Sequence, residues 1–143
     1  MQLERFTLKA QEALAASQKL AQERGHAQIE PEHLMVALLD QDGGLAVPIF
    51  ERIGAGHAAV RAELEKRLDY FSTVHGSTQM GLARETQEAL EAAQTEADRM
   101  KDAYVSTEHV LMALSQNKAW LGDLLRRYGV TRDAVFAVLK DIR

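Results

Sequence analysis

The feature that most constrains this chain is a repetition. The stretch IEPEHLMVAL, residues 29–38, returns as VSTEHVLMAL, residues 105–114, displaced by 76 positions. At that offset residues 11–38 lie over residues 87–114 without a gap, and 12 of the 28 positions are identical. Five of the twelve are alanine, which an alanine-rich chain repeats cheaply, so the stronger signal is that the boundaries repeat as well. Arg52-Ile-Gly54 reappears as Arg127-Tyr-Gly129, and each is followed by a stretch with Val60 or Val135 and Leu64 or Leu139 in step. Repetition with preserved punctuation marks a duplicated unit. It predicts repeat one over residues 1–69, a linker over 70–81 and repeat two over 82–143 within a single domain.

Each unit reads as four helices. Ala, Leu, Glu, Gln, Lys and Arg dominate, and two prolines stand in 143 residues, a composition that favours helix. Ala10, Ala13, Leu14, Ser17, Leu20 and Ala21 fall three and four apart after a candidate N-cap at Thr7, and Gly25 closes that helix. Pro31 sits at the first position of the next, between Glu30 and Glu32, and Gly43-Gly44 ends it. Further helices are expected over Val47–Ile53 and His57–Leu68, and YFSTVHGSTQMG has the Ser, Thr and Gly of a linker with no helical period. The expected fold is all-α: an eight-helix bundle of two pseudo-symmetric four-helix repeats, with a groove where the halves meet. Trp120, the single tryptophan, falls near the start of the seventh helix.

Composition excludes several classes of function. The chain has no cysteine, hence no disulfide, thiolate metal site or cysteine nucleophile, which suits a reducing cytoplasm. The beginning MQLERFTLKAQ is charged, unlike a signal peptide, and no window approaches a membrane span. A net charge of −4 with interleaved signs, and no basic run longer than Arg126-Arg127, disfavours nucleic acid.

The repeated Glu-His pairs, Glu32-His33 and Glu108-His109, invite a metal reading. A zinc helix places two ligands on one face, as in His-Glu-x-x-His. Neighbours on a helix point about 100° apart, and the positions four after each histidine are Ala37 and Ala113. No metal site is expected. The structural reading is a helix start: Ser106 is a natural N-cap, Glu30 holds the same place in the first copy, and a first-turn carboxylate opposes the helix dipole for roughly 0.3–1 kcal/mol. Phosphate-loop, nucleophile-elbow and dinucleotide motifs are missing, so no catalytic residue is assigned.

The stretches FTLKAQEALAASQKLAQERGH, IEPEHLMVALLDQDGG and RIGAGHAAVRAELEKRL, followed by a degenerate second copy, resemble the duplicated N-terminal domain of the Clp AAA+ unfoldases, most of all the ClpB-type disaggregases. The resemblance covers essentially the whole chain. It implies a non-catalytic accessory domain, joined beyond Arg143 to ATPase modules that would bind ATP and magnesium as a hexamer. It implies contact with unfolded or aggregated polypeptide, delivered to the ring's pore. The alternative is docking of a folded adaptor, as in the ClpA- and ClpC-type unfoldases. Polar functional positions of the family fall on Thr7, Asp102 and Glu108; each also suits a helix cap or first turn. Positions lining the family's apolar groove fall on Leu90, Ala92 and His109, where only Leu90 keeps a large apolar side chain. His109 is thereby expected to make the groove polar as pH falls below neutrality. The isolated domain is expected to be monomeric.

Overall fold

The structure is a computed structural model that describes residues 2–75 and 80–142. Eight helices are present among these residues: α1 (Leu8–Glu23), α2 (Pro31–Asp40), α3 (Ala46–Ile53), α4 (His57–Leu68), α5 (Arg84–Arg99), α6 (Thr107–Ser115), α7 (Trp120–Arg127) and α8 (Arg132–Ile142). Two short strands, β1 (Gln28–Ile29) and β2 (Gly81–Leu82), complete the fold. The all-α architecture read from the duplication is the one observed.

The two copies share an interior built around α2 and α6. Every residue of α6 is buried, and so is every residue of α2 except Asp40. Their sequences, PEHLMVALL and TEHVLMALS, have no polar stripe, as a helix enclosed on all sides must. α1 packs on α2 and α5 on α6 through matching small faces: Ala10, Ala13, Ser17 and Ala21 in one, Thr86, Ala89, Ala93 and Ala97 in the other. Small side chains let the backbones approach, leaving Phe50, Leu34, Leu38, Leu64, Leu111 and Leu121 to fill the core. Each such burial contributes about 1.5–3 kcal/mol. Trp120 opens α7 and packs partly buried against this core.

The boundaries recur as backbone geometry. The glycines of the repeated Arg-x-Gly triplets both stand at positive φ, Gly54 at 86° and Gly129 at 81°. There the next amides turn back, Ala55 N–H to Phe50 O at 2.9 Å and Val130 N–H to Leu125 O at 2.8 Å. After α1 and α5 the left-handed residues are Gly25 (φ 71°) and Lys101 (φ 59°), again equivalent. The following amides donate to Ala21 O and Ala97 O, both at 2.9 Å, the six-to-one bond of a helix C-cap.

The copies are not laid side by side. β1 pairs in parallel with β2, Ile29 opposite Leu82, while Phe6 bridges Val105 in the same sense. Leu82 is the counterpart of Phe6, and Val105 of Ile29. Each copy therefore inserts the segment before its first helix beside the segment before the other copy's second helix. Thr7 N–H donates to Val105 O at 2.9 Å and Ala83 N–H to Ile29 O at 3.0 Å. The seam, where a groove was expected, is thereby bridged by backbone hydrogen bonds from both halves. The concavities lie within a copy instead: one of about 270 Å³ between α1 and α2 under Arg61, and a counterpart of about 540 Å³ between α5 and α6.

Candidate functional site

The two Glu-His pairs open α2 and α6, and their histidines are keystones of the fold. His33 Nδ1 accepts the Glu30 N–H at 2.8 Å, and His109 Nδ1 accepts the Ser106 N–H at 2.9 Å. A backbone N–H always donates, so Nδ1 is the acceptor and the ring proton sits on Nε2. That second nitrogen reaches back to the turn after the preceding helix: to His26 Nδ1 at 2.8 Å in copy one, to Asp102 Oδ2 at 2.8 Å in copy two. His26 and Asp102 are equivalent positions, so one clasp is built with two different acceptors. With both nitrogens engaged, neither His33 nor His109 has a lone pair for a metal.

The surroundings of the clasps differ. Burial first, then the charges of His26 and Arg24, lowers His33 to about 4. Burial, with Arg24 adding to it, also lowers His26, and both rings are neutral at pH 7. Phe71 covers the pair, with its ring 5.6 Å from His26 and 5.9 Å from His33. Thr73 bridges His26, and Val74 N–H donates to Gly25 O at 2.8 Å. The first part of the expected linker is thus docked as a strap over copy one. Beneath it Glu32 is buried 3.5 Å from Arg67 Nε, and burial raises its carboxyl above the ordinary range.

Copy two has no such strap among the described residues, and its corner is open. Thr7 caps α1, its Oγ1 accepting Ala10 N–H at 3.1 Å, and the Phe6–Val105 bridge sets this cap beside the loop leading into α6. Arg5 fastens that loop from the other chain segment, donating to Asp98 Oδ1 at 2.5 Å, Ala103 O at 3.3 Å and Asp102 O at 3.4 Å. Thr7, Asp102, Glu108 and His109, dispersed in sequence, meet at this corner. Around it stand three large apolar side chains in solvent: Leu3 at 44%, Leu8 at 76% and Tyr104 at 61% exposure.

Two expected groove residues are corrected. Leu90 is 2% exposed and His109 0%; the first packs in the core and the second is held by the α6 clasp, so an apolar ligand on the surface meets neither. The proposed pH effect of His109 on a groove loses its site for the same reason. Ala92 does line a surface concavity, with Ala89, Ala113 and Ala119 and the carboxylates Glu85, Glu88 and Glu91. It belongs to a different place from the Thr7 corner. Sequence reading missed Leu3, Leu8 and Tyr104, although a signal existed: Leu8 falls off the small-residue stripe of α1, and Tyr104 alternates with buried Val105 beside the bridge.

The all-α double repeat superposes on solved Clp N-terminal domains. The family model for the Clp repeat (R) N-terminal domain matches residues 5–128, and the chain belongs to that family. It is 38% identical over 138 residues to the chaperone protein ClpB of Mycobacterium tuberculosis, which covers 96% of this chain and 16% of the relative. The chain thus spans about one-sixth of the length of the curated relatives it matches. The N-terminal domain of the chaperone ClpD from Arabidopsis thaliana superposes with a TM-score of 0.70 at 25% identity, over 99% of this chain and 100% of that one. A complex of the ClpV N-domain with a VipB peptide has the same fold, with TM-score 0.73 at 17% identity over 92% and 82% of the two chains. No helix among the described residues is long and apolar enough to cross a membrane.

Proposed function

We propose that this chain is the polypeptide-binding accessory domain of a ClpB-type, ATP-dependent disaggregase. It contacts unfolded or aggregated protein at the corner around Thr7 and helps deliver it to the pore of an AAA+ ring, whose ATPase modules bind ATP and magnesium. The domain itself carries no chemistry. The observation that supports this reading is the exposure of Leu3, Leu8 and Tyr104 beside the half-buried Thr7 and Asp102. Exposed apolar groups rimmed by polar ones mark interaction surfaces. A side chain such as Leu8 projects from a capped helix start and costs little to present. A client passed onward must be held weakly, with dissociation constants of tens of micromolar, about −6 kcal/mol. The fold is known to hold a peptide in the ClpV N-domain.

The alternative, a folded adaptor, is favoured by one feature: the concavity at Ala92, of about 540 Å³ with a carboxylate rim, suits a shaped partner better than an extended one. Anisotropy of a fluorescein-labelled, permanently unfolded, leucine-containing polypeptide separates the readings. Leu8→Ser with Tyr104→Ser should weaken binding at least five-fold at unchanged Tm, while Ala92→Glu leaves it unchanged. Loss of binding in Ala92→Glu alone would move the client to the other concavity and overturn the proposal.

A further inference from the structure

A second surface stands at the other side of copy two, where the last turn of α5 meets α8. Arg132, Phe136, Leu139 and Lys140 share one face of α8, four, three and one residues apart, and Arg99 and Met100 close the space from α5. The concavity holds about 300 Å³, the volume of one large side chain and its neighbours. Met100, Phe136 and Leu139 form its apolar floor; Arg99, Arg132 and Lys140 form its rim. The Phe136 ring has the Arg132 guanidinium carbon 4.9 Å from its centre and Lys140 Nζ at 5.4 Å, so two cations lie against one aromatic ring.

The charge of this corner is not balanced from within. Glu96, buried, takes two hydrogen bonds from Arg132, at 3.0 and 3.1 Å, and lies 3.9 Å from Arg99. Asp133 reaches Arg132 at 3.5 Å from an exposed position. Neither carboxylate pairs with Lys140. In a chain of net charge −4 this is a local excess of cations, not the general composition.

The duplication supplies the comparison. The counterparts of Arg99, Met100, Phe136 and Lys140 are Glu23, Arg24, Arg61 and Glu65. In copy one the two arginines are paired with carboxylates: Arg24 with Glu65 and Asp69, and Arg61 with Asp40 and Glu65. Copy two has kept the corner, exchanged the arginines for an apolar floor, and exchanged the glutamates for cations. Copy two supplies Glu96 and Asp133 to Arg132 but neither of them to Lys140, which leaves a place for a carboxylate from outside.

We infer that this concavity docks a short acidic segment of another polypeptide, one large apolar side chain flanked by aspartate or glutamate. The apolar group enters between Met100 and Phe136, and the flanking carboxylates meet Arg99 and Lys140. The contact is independent of the Thr7 corner and does not rest on the client reading given above. The probe is a fluorescein-labelled peptide Glu-Asp-Phe-Glu-Asp, amidated so that no terminal carboxylate contributes, titrated with the 143-residue chain. Binding should weaken at least ten-fold in Lys140→Glu, at least five-fold with Ser in place of the peptide's Phe, and fall steeply with salt, as exposed charge pairs do. Leu8→Ser should leave it unchanged. Amide shifts should centre on Met100, Phe136 and Lys140, which maps the site even if a variant unfolds. Equal affinity for Lys-Lys-Phe-Lys-Lys, equal affinity of an oligothymidylate of the same charge, or shifts centred away from these residues would each overturn the inference.

Discussion

The two corners at which the copies cross-pair are the same device finished in two ways. At each, a histidine Nδ1 caps the second helix of its copy, a left-handed residue turns the chain after the first, and an incoming strand is bonded between them. In copy one the acceptor is His26, the strap of residues 70–75 lies on top, and Gln28 and Arg84 stand where copy two has Tyr104 and Leu8. In copy two the acceptor is Asp102 and the apolar side chains are left in solvent. The residues which hold the backbone are thus separable from those left in solvent for the proposed partner.

The largest effect expected from breaking this comparison lies in the bridging residues themselves. Phe6 is 3% exposed, while its counterpart Leu82 is only partly buried. Phe6→Ala should cost about 3–5 kcal/mol and Leu82→Ala about 1–2, measured by urea denaturation with Trp120 fluorescence. Equal costs would mean that the two cross-pairs carry equal weight.

Next is the acid response. His33 and His26 have folded pKa values below the ordinary 6.5, so the unfolded chain binds protons first as pH falls. The contribution of His33 is fully present above about pH 6.5 and is lost on the way to about pH 4, on the order of 3 kcal/mol, and His26 adds a loss in the same direction. Glu30 and Glu32, raised by burial, take up protons earlier in the folded state and soften the loss at its acid end. His26→Asp rebuilds copy two's clasp in copy one and should shrink the drop in urea midpoint between pH 7 and pH 4.5 by about half. An unchanged slope would show that the histidine pair is not its source.

The smallest effect concerns the caps. Thr7→Ala removes the acceptor for Ala10 N–H and should cost about 1 kcal/mol. Ala83, the counterpart, has the same extended backbone and no capping side chain; Ala83→Ser should return about 0.5–1 kcal/mol. The differential Tm of the two variants checks both.

Much of the fold was legible because its punctuation is chemical. Thr7, Pro31 and Gly54 each do one local thing: α1 begins directly after Thr7, α2 begins at Pro31 and α3 ends directly before Gly54, whereas α2 stops at Asp40, three residues short of the Gly43-Gly44 expected to end it. His57–Leu68 is observed as read. What was illegible is non-local. A two-residue strand has no period, so the Ile29–Leu82 and Phe6–Val105 pairings leave no sequence trace, and without them the halves seem to meet at a groove. Phe71 and Thr73 looked like linker because docking depends on what lies beneath. The resemblance puts His109 in a groove, while its burial depends on a partner that spacing does not show: Asp102, seven residues away, is brought to its ring by the turn at Lys101. Thr7, Asp102 and Glu108 are legible by resemblance, whereas Leu8 and Tyr104 are brought together only by the pairing of Phe6 with Val105.

The central claim is that one of two equivalent corners meets unfolded polypeptide. The most direct measurement is an amide-shift NMR titration of the chain with an unfolded, leucine-containing polypeptide, with a folded protein as control. Shifts at Leu8, Asp102, Tyr104 and Glu108, with none at the counterparts Arg84, His26, Gln28 and Glu32, are the predicted result. Equal shifts at both corners, or shifts confined to the concavity around Ala92, would contradict it.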